Sequence, residues 1–202
     1  MKRGTLLTLA AGAILLALPT VSRGATTIAG TAHDLSAQAG WGITEICVSC
    51  HTPHNAQATQ LVPLWNHTST VASFTPYTSG TLNATVGQPD GTSKACLSCH
   101  DGTVAIDAFV GGGGTHTMTG GALLGTDLRN DHPVSFTYDL ALATADGGLV
   151  TPASASLVVT DIPLFSSKLE CASCHNAHNN ANGDFLRVSN AGSALCLKCH
   201  SK

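Results

Sequence analysis

The sequence predicts a mostly irregular fold, with short helices carrying a repeated cysteine motif, a few short β-strands, and an interior that side chains alone cannot fill. Three observations lead there. Cys-x-x-Cys-His occurs four times, at Cys47-Val-Ser-Cys50-His51, Cys96-Leu-Ser-Cys99-His100, Cys171-Ala-Ser-Cys174-His175 and Cys196-Leu-Lys-Cys199-His200, and uses all 8 cysteines. Phe, Tyr and Trp make up only 4% of the 202 residues, whereas glycine alone contributes 21. Between the motifs the sequence is poor in helix signals.

The motif is the attachment signature of c-type haem, in which two thiols add to the vinyl groups and the adjoining imidazole ligates the iron. Positions i, i+3 and i+4 share one face of a helical turn, so both thioethers and the iron ligand meet one macrocycle. Eight cysteines could also make a disulfide framework, or four-thiolate zinc knuckles. Neither needs histidine directly after the second cysteine. With 10 histidines in the chain, finding one after all four pairs by chance has odds on the order of one in 10^5, against an obligate role in haem attachment. The expected cofactor is therefore haem c, four of them and covalent. The fold class follows: a haem-cored tetrahaem protein whose polypeptide wraps its cofactors, and whose apo form is collapsed or unfolded.

The N-terminus, Met1-Lys2-Arg3 and an apolar run over 6–18, has the charged and hydrophobic regions of a secretory signal. The run is short for a membrane span. Ser22 and Gly24 offer small residues for cleavage, so 1–24 is expected as a signal peptide and 25–202 as a single tetrahaem domain, with haem pairs at about 25–125 and 126–202. An uncleaved anchor is the competing reading. Export suits thiols that would otherwise oxidise. Removing 1–24 leaves 6 basic against 12 acidic residues, a net charge of −6. Nucleic acid and anionic membrane surfaces are excluded as natural partners, and no stable membrane insertion is expected after cleavage.

Each motif follows a hydroxyl that could start a helix: Thr44, Ser93, Ser167 and Ser193. Ser167-Lys-Leu-Glu170 has the form of a capping box. Asp101-Gly102 and Asn182-Gly183 read as the turns that end such helices. Residues 134–138 and 156–160 alternate like strands, with Asp146-Gly147-Gly148 as a turn between them. Residues 111–114, all glycine, read as a flexible hinge or surface loop. The stretch from Cys47 through His54-Asn55 is repeated from Cys171 through His178-Asn179, and each copy is followed by a simpler motif, which suggests two haem pairs in tandem.

Six histidines remain outside the motifs: His33, His54, His67, His116, His132 and His178. Met118 is the only methionine left once the signal is removed, so bis-histidine coordination is expected, with low potentials and no open iron position. His54 and His178 lie three residues past His51 and His175. One helical turn cannot place both residues of such a pair on opposite faces of one ring, so each is expected to serve a different haem from the one its motif holds.

The chain resembles the multihaem cytochromes with a doubled Cys-x-x-Cys-His motif, and in particular the four-haem cytochromes that polymerise into extracellular nanowires. The similar stretches are His33-Asp34-Leu35-Ser36, 47–55, Pro63-Leu64-Trp65-Asn66, 96–102, Asp131-His132-Pro133-Val134-Ser135-Phe136, 171–178 and Asp184-Phe185-Leu186-Arg187 onward through Cys196 to Lys202. The resemblance implies that His33, His54, His132 and His178 are the distal ligands, with His67 and His116 in reserve. It also implies that one distal histidine can come from the next subunit, and His33, on the N-terminal arm, is the expected donor.

The expected function is electron transfer without catalysis, in an exported protein, extracellular or at the cell surface or else periplasmic. Its expected partners are further copies of itself in a head-to-tail filament, other redox proteins or an extracellular acceptor. Two alternatives stand beside it: a monomeric periplasmic shuttle, and a multihaem reductase, which would need an iron with a free or unusual ligand.

Overall fold

The computed structural model describes residues 27–57, 62–110, 112 and 114–201. The expected signal peptide, 1–24, lies outside the described residues. Within them the chain is mostly irregular, with few short helices and small strands.

One motif sits on a helix of several turns, α1 (Gly91–His100). The other three use less. Motif 1 is a succession of turns, motif 3 is the single turn α3 (Cys171–Cys174), and motif 4 is a 3-10 turn, Cys196–Lys198. The expectation of two- or three-turn helices at every motif is corrected here, and the reason is local. What the motif needs is one closed turn, and the same bond closes it in each of the three: the backbone N–H of His51, His175 and His200 donates to the carbonyl of Cys47, Cys171 and Cys196 at 2.8, 3.0 and 3.0 Å. Beyond that bond the backbone is free to leave, and His175 is already extended.

The helix starts also differ from those expected. α1 begins after Asp90, not Ser93, because the Ser93 hydroxyl is buried and donates to Glu170. The capping box at motif 3 is formed by Glu170 and Ser173, one frame later than Ser167 and Glu170. Ser167 has a φ of 62° and belongs to a turn. Asp101-Gly102 does end α1: the Asp101 N–H bonds the Leu97 carbonyl at 2.9 Å, and Gly102, at φ 73°, turns the chain where a Cβ would run into Leu123.

The two sheets are two-stranded and antiparallel. β1 (Phe136–Thr137) pairs with β4 (Lys168–Leu169), and β2 (Leu157–Val159) pairs with β3 (Ile162–Pro163). The expected hairpin between 134–138 and 156–160 does not form. Between them runs α2 (Leu140–Asp146), whose alanines and leucines favour helix. Asp139 caps it by accepting from the Leu142 N–H at 2.8 Å, and Gly147, at φ 68°, ends it. The Asp-Gly-Gly signal is thus a helix end rather than a hairpin turn.

Phe136, Tyr138, Leu142, Val158, Ile162, Leu164 and Leu169 form the larger apolar cluster, and Phe74, Leu97 and Leu128 a smaller one. Each such side chain contributes about 1.5–3 kcal/mol on burial. Two clusters of this size leave much of the interior to be supplied by something else. The glycine segment is less free than expected: the Gly112 N–H bonds the Phe109 carbonyl at 2.7 Å, and a Cβ there would strike Asp107 and Phe109. Gly111 and Gly113 lie outside the described residues.

Candidate haem site

Motifs 1 and 3 are held by the same set of bonds. His51 Nδ1 lies 2.8 Å from the Pro63 carbonyl, and His175 Nδ1 lies 2.8 Å from that of Asp184. The Thr52 N–H donates to Leu64 and the Asn176 N–H to Phe185; the Asn66 N–H donates to Cys50 and the Arg187 N–H to Cys174. Asn66 Nδ2 and Arg187 Nε each donate to the carbonyl of the residue after the first cysteine, Val48 and Ala172. Leu64 and Phe185 share a positive φ, 57° and 56°. The repeat seen in sequence over 47–55 and 171–179 therefore extends to 63–66 and 184–187, where the two sequences have no residue in common.

A carbonyl beside Nδ1 fixes the tautomer. With Nδ1 donating, Nε2 presents its lone pair to a metal. His100 Nδ1 is held in the same way by the Ala122 carbonyl at 2.8 Å, and His132 Nδ1 by that of Pro133 at 2.9 Å. His33 bonds the backbone of Ala177. Burial pulls the pKa of His33 and of His132 below the ordinary value, which favours the neutral form that metals bind.

The structure brings motif histidines and other histidines together in three pairs. Ring centres are 6.2 Å apart for His33 and His100, 6.0 Å for His51 and His178, and 6.4 Å for His132 and His200. Two metal–nitrogen bonds of about 2 Å plus the radii of two imidazoles come to about 6 Å, so each pair has the spacing of two axial ligands on one iron. The ring planes are 18° apart in the His51 pair but 74° and 72° apart in the others. Among the described residues, neither His175 nor His54 makes a ring pair. His33 stacks on Phe185 at 4.2 Å.

The two reserve histidines are engaged elsewhere. Buried His67 has a backbone carbonyl at each ring nitrogen, Thr68 at 2.8 Å and Ala105 at 2.9 Å. His116 Nδ1 donates to Asp107 at 2.9 Å, and its ring stacks on Trp41 at 4.4 Å. The resemblance placed them in reserve, and in the fold their rings bond to groups other than a motif histidine.

No disulfide joins any of the eight cysteines. Burial pushes the Cys99 thiol up to about 12 and that of Cys199 up to about 11. The motifs follow one another in space as in sequence. Cys50 neighbours Cys99, the Cys96 and Cys171 thiols are in hydrogen-bonding contact, and Cys174 neighbours Cys196. A cavity of about 210 Å³ opens over motif 3, lined by Cys171, Cys174 and His175 and by the apolar Leu97, Leu128 and Pro133. Thiols for two thioethers, a tautomer-fixed imidazole and an apolar wall fit a covalently bound macrocycle.

Residues 164–202 match the family model described as the doubled CXXCH motif. The match covers motifs 3 and 4 and supports a multihaem c-type cytochrome. No curated protein matches the chain. The motifs indicate covalently bound haem c, and the doubled motif supports electron transfer in general terms. Cytochromes of this type are typically exported. Among the described residues, no helix is long and apolar enough to cross a membrane.

Proposed function

We propose that this chain is an electron-transfer protein with four covalent haems c, each ligated by two histidines, and that it is the subunit of an extracellular head-to-tail filament. In this reading Cys47 and Cys50, Cys96 and Cys99, Cys171 and Cys174, and Cys196 and Cys199 hold the macrocycles. The axial pairs are His51 with His178, His100 with His33, and His200 with His132. His175 takes His54 from the next copy.

The observation that carries the reading is the arithmetic of the ring pairs. Three motif histidines face a partner in their own chain, which leaves one motif histidine, His175, and one exposed candidate, His54, apart from each other. The repeat supports their union across a joint. His178, in the second copy of the repeat, faces His51 in the first. Carrying that relation one step along brings the first copy of the next subunit against His175, with His54 in the place of His178. A relation of this kind does not close on itself and builds a filament.

Electron microscopy of the secreted, haem-loaded protein tests it. Filaments that are lost in His54→Ala, with one haem per subunit becoming high-spin, are expected. Unaggregated monomers with four low-spin haems would reject the filament and leave a shuttle. The lack of an in-chain partner for His175 also favours a second reading, a reductase whose substrate meets that iron. Ready carbon monoxide binding by the reduced, assembled protein would favour it over electron transfer.

A further inference from the structure

Glu170 is 1% exposed and stands immediately before motif 3, between α1 and α3. Its carboxylate accepts from the Ser93 hydroxyl, from the Ser93 N–H at 3.2 Å and from the Ser135 hydroxyl at 2.8 Å. Both serines are tied to the neighbourhood of the haem attachments: Ser93 Oγ accepts from the Cys171 N–H at 2.9 Å, and Ser135 Oγ accepts from the Asp90 N–H at 3.0 Å. Asp90 brings a second carboxylate. Its Oδ2 pairs with Lys168, while its Oδ1 is buried with no donor and neighbours Glu170. Two carboxylates in contact disfavour each other's charge, and a proton taken up by Glu170 supplies the donor that Asp90 Oδ1 lacks.

We infer that Glu170 takes up a proton when the haems of motifs 2 and 3 are reduced, so that electron transfer through this pair is coupled to proton transfer. The inference rests on the haem-based reading above and deepens it. One electron from the donor protein reduces ferric to ferrous iron, and one proton from solvent turns the Glu170 carboxylate into the acid. Asp90, whose side chain is 49% exposed, gives the proton a way in. The titratable and charged groups around Glu170 are Asp90 at the head of α1, Lys168 on β4, Tyr77, Asp131, His132 and His175, which line the cavity that Glu170 also lines, and Cys96, Cys171 and Cys174, which no longer titrate once they are thioethers. Burial, and then the nearby Asp90, raise the Glu170 pKa, against the hydrogen bonds from Ser93 and Ser135 that lower it. An added electron raises it further, so the two states differ in proton affinity on the order of tenfold for a unit charge inside a protein.

Spectroelectrochemical titration of the haem-loaded protein over a range of pH reads the coupling. Midpoint potentials of part of the haem population are expected to fall as pH rises through the window between the two affinities, a tenfold difference corresponding to about 59 mV for one electron. Glu170→Gln should remove that dependence. Ser135→Ala, which deletes one donor to the carboxylate, should move the window to higher pH. A carboxylic-acid carbonyl band in the reduced-minus-oxidised infrared difference spectrum, shifted in D2O and missing in Glu170→Gln, gives an independent reading. An unchanged pH dependence in a fully loaded Glu170→Gln protein, or a band that persists in it, overturns the inference. Haem content, weighed beforehand, separates the two claims: a loaded protein that titrates reversibly with no pH dependence removes the proton role and leaves electron transfer standing.

Discussion

Asp107 shows how single residues hold this chain where apolar contacts are few. Its carboxylate accepts from the N–H and hydroxyl of Thr115 and from the N–H and ring of His116, and it is nearly buried. Burial alone would raise its pKa, but the His116 and Thr115 hydrogen bonds outweigh it and hold the carboxyl well below its ordinary 3.8. A lowered pKa gives stability that is fully present above the ordinary value and is lost as pH falls below about 4. Asp107→Asn should therefore cost about 1–3 kcal/mol at neutral pH and flatten the acid side of a thermal-melt series. The imidazole planes offer a second residue-scale test. Under the proposed ligation, a pair at 18° would donate into one iron orbital, whereas pairs at 74° and 72° would donate into two. Electron paramagnetic resonance of the oxidised protein should then show two classes of low-spin haem, and a single class would contradict the assigned pairs. The motif residues are legible in sequence because covalent chemistry fixes their spacing. The pairs are not, since His33 meets His100 and His132 meets His200 only through the tertiary fold.

Secondary-structure elements here are short, and caps decide where they stop. Asp139 accepts from the Leu142 N–H at the start of α2, and Asp139→Ala should cost about 1 kcal/mol, measured as a shift in the denaturant midpoint of haem-loaded protein. α2 could have been read from Asp139 followed by leucines and alanines. The Asp-Gly-Gly after it pulled the reading toward a hairpin, because a left-handed glycine ends a helix as readily as it turns a strand. The extended repeat was hidden for a different reason. Pro63-Leu64-Trp65-Asn66 and Asp184-Phe185-Leu186-Arg187 make the same backbone bonds with unrelated side chains, so the likeness lives in carbonyls and N–H groups and leaves no trace in the letters.

Among the described residues, the two apolar clusters, of seven and three buried residues, are small. Protein made without haem attachment should lack a cooperative melt by far-UV circular dichroism, and a sharp transition in that material would show a polypeptide core sufficient by itself. The mostly irregular character was readable from few aromatics, many glycines and weak helix signals between the motifs. The packing of the His33 ring against His100 and Phe185, and the exposure of His54, were not readable, because both depend on the tertiary fold.

The motif imidazoles of His51, His100 and His175 all lean on main-chain oxygens. A main-chain oxygen neither gains nor loses a proton over the ordinary range of pH, and changing the side chain of its residue does not remove it. The partner that would set each imidazole's donor strength toward a haem iron is thereby insulated both from acidity and from substitution at its own position.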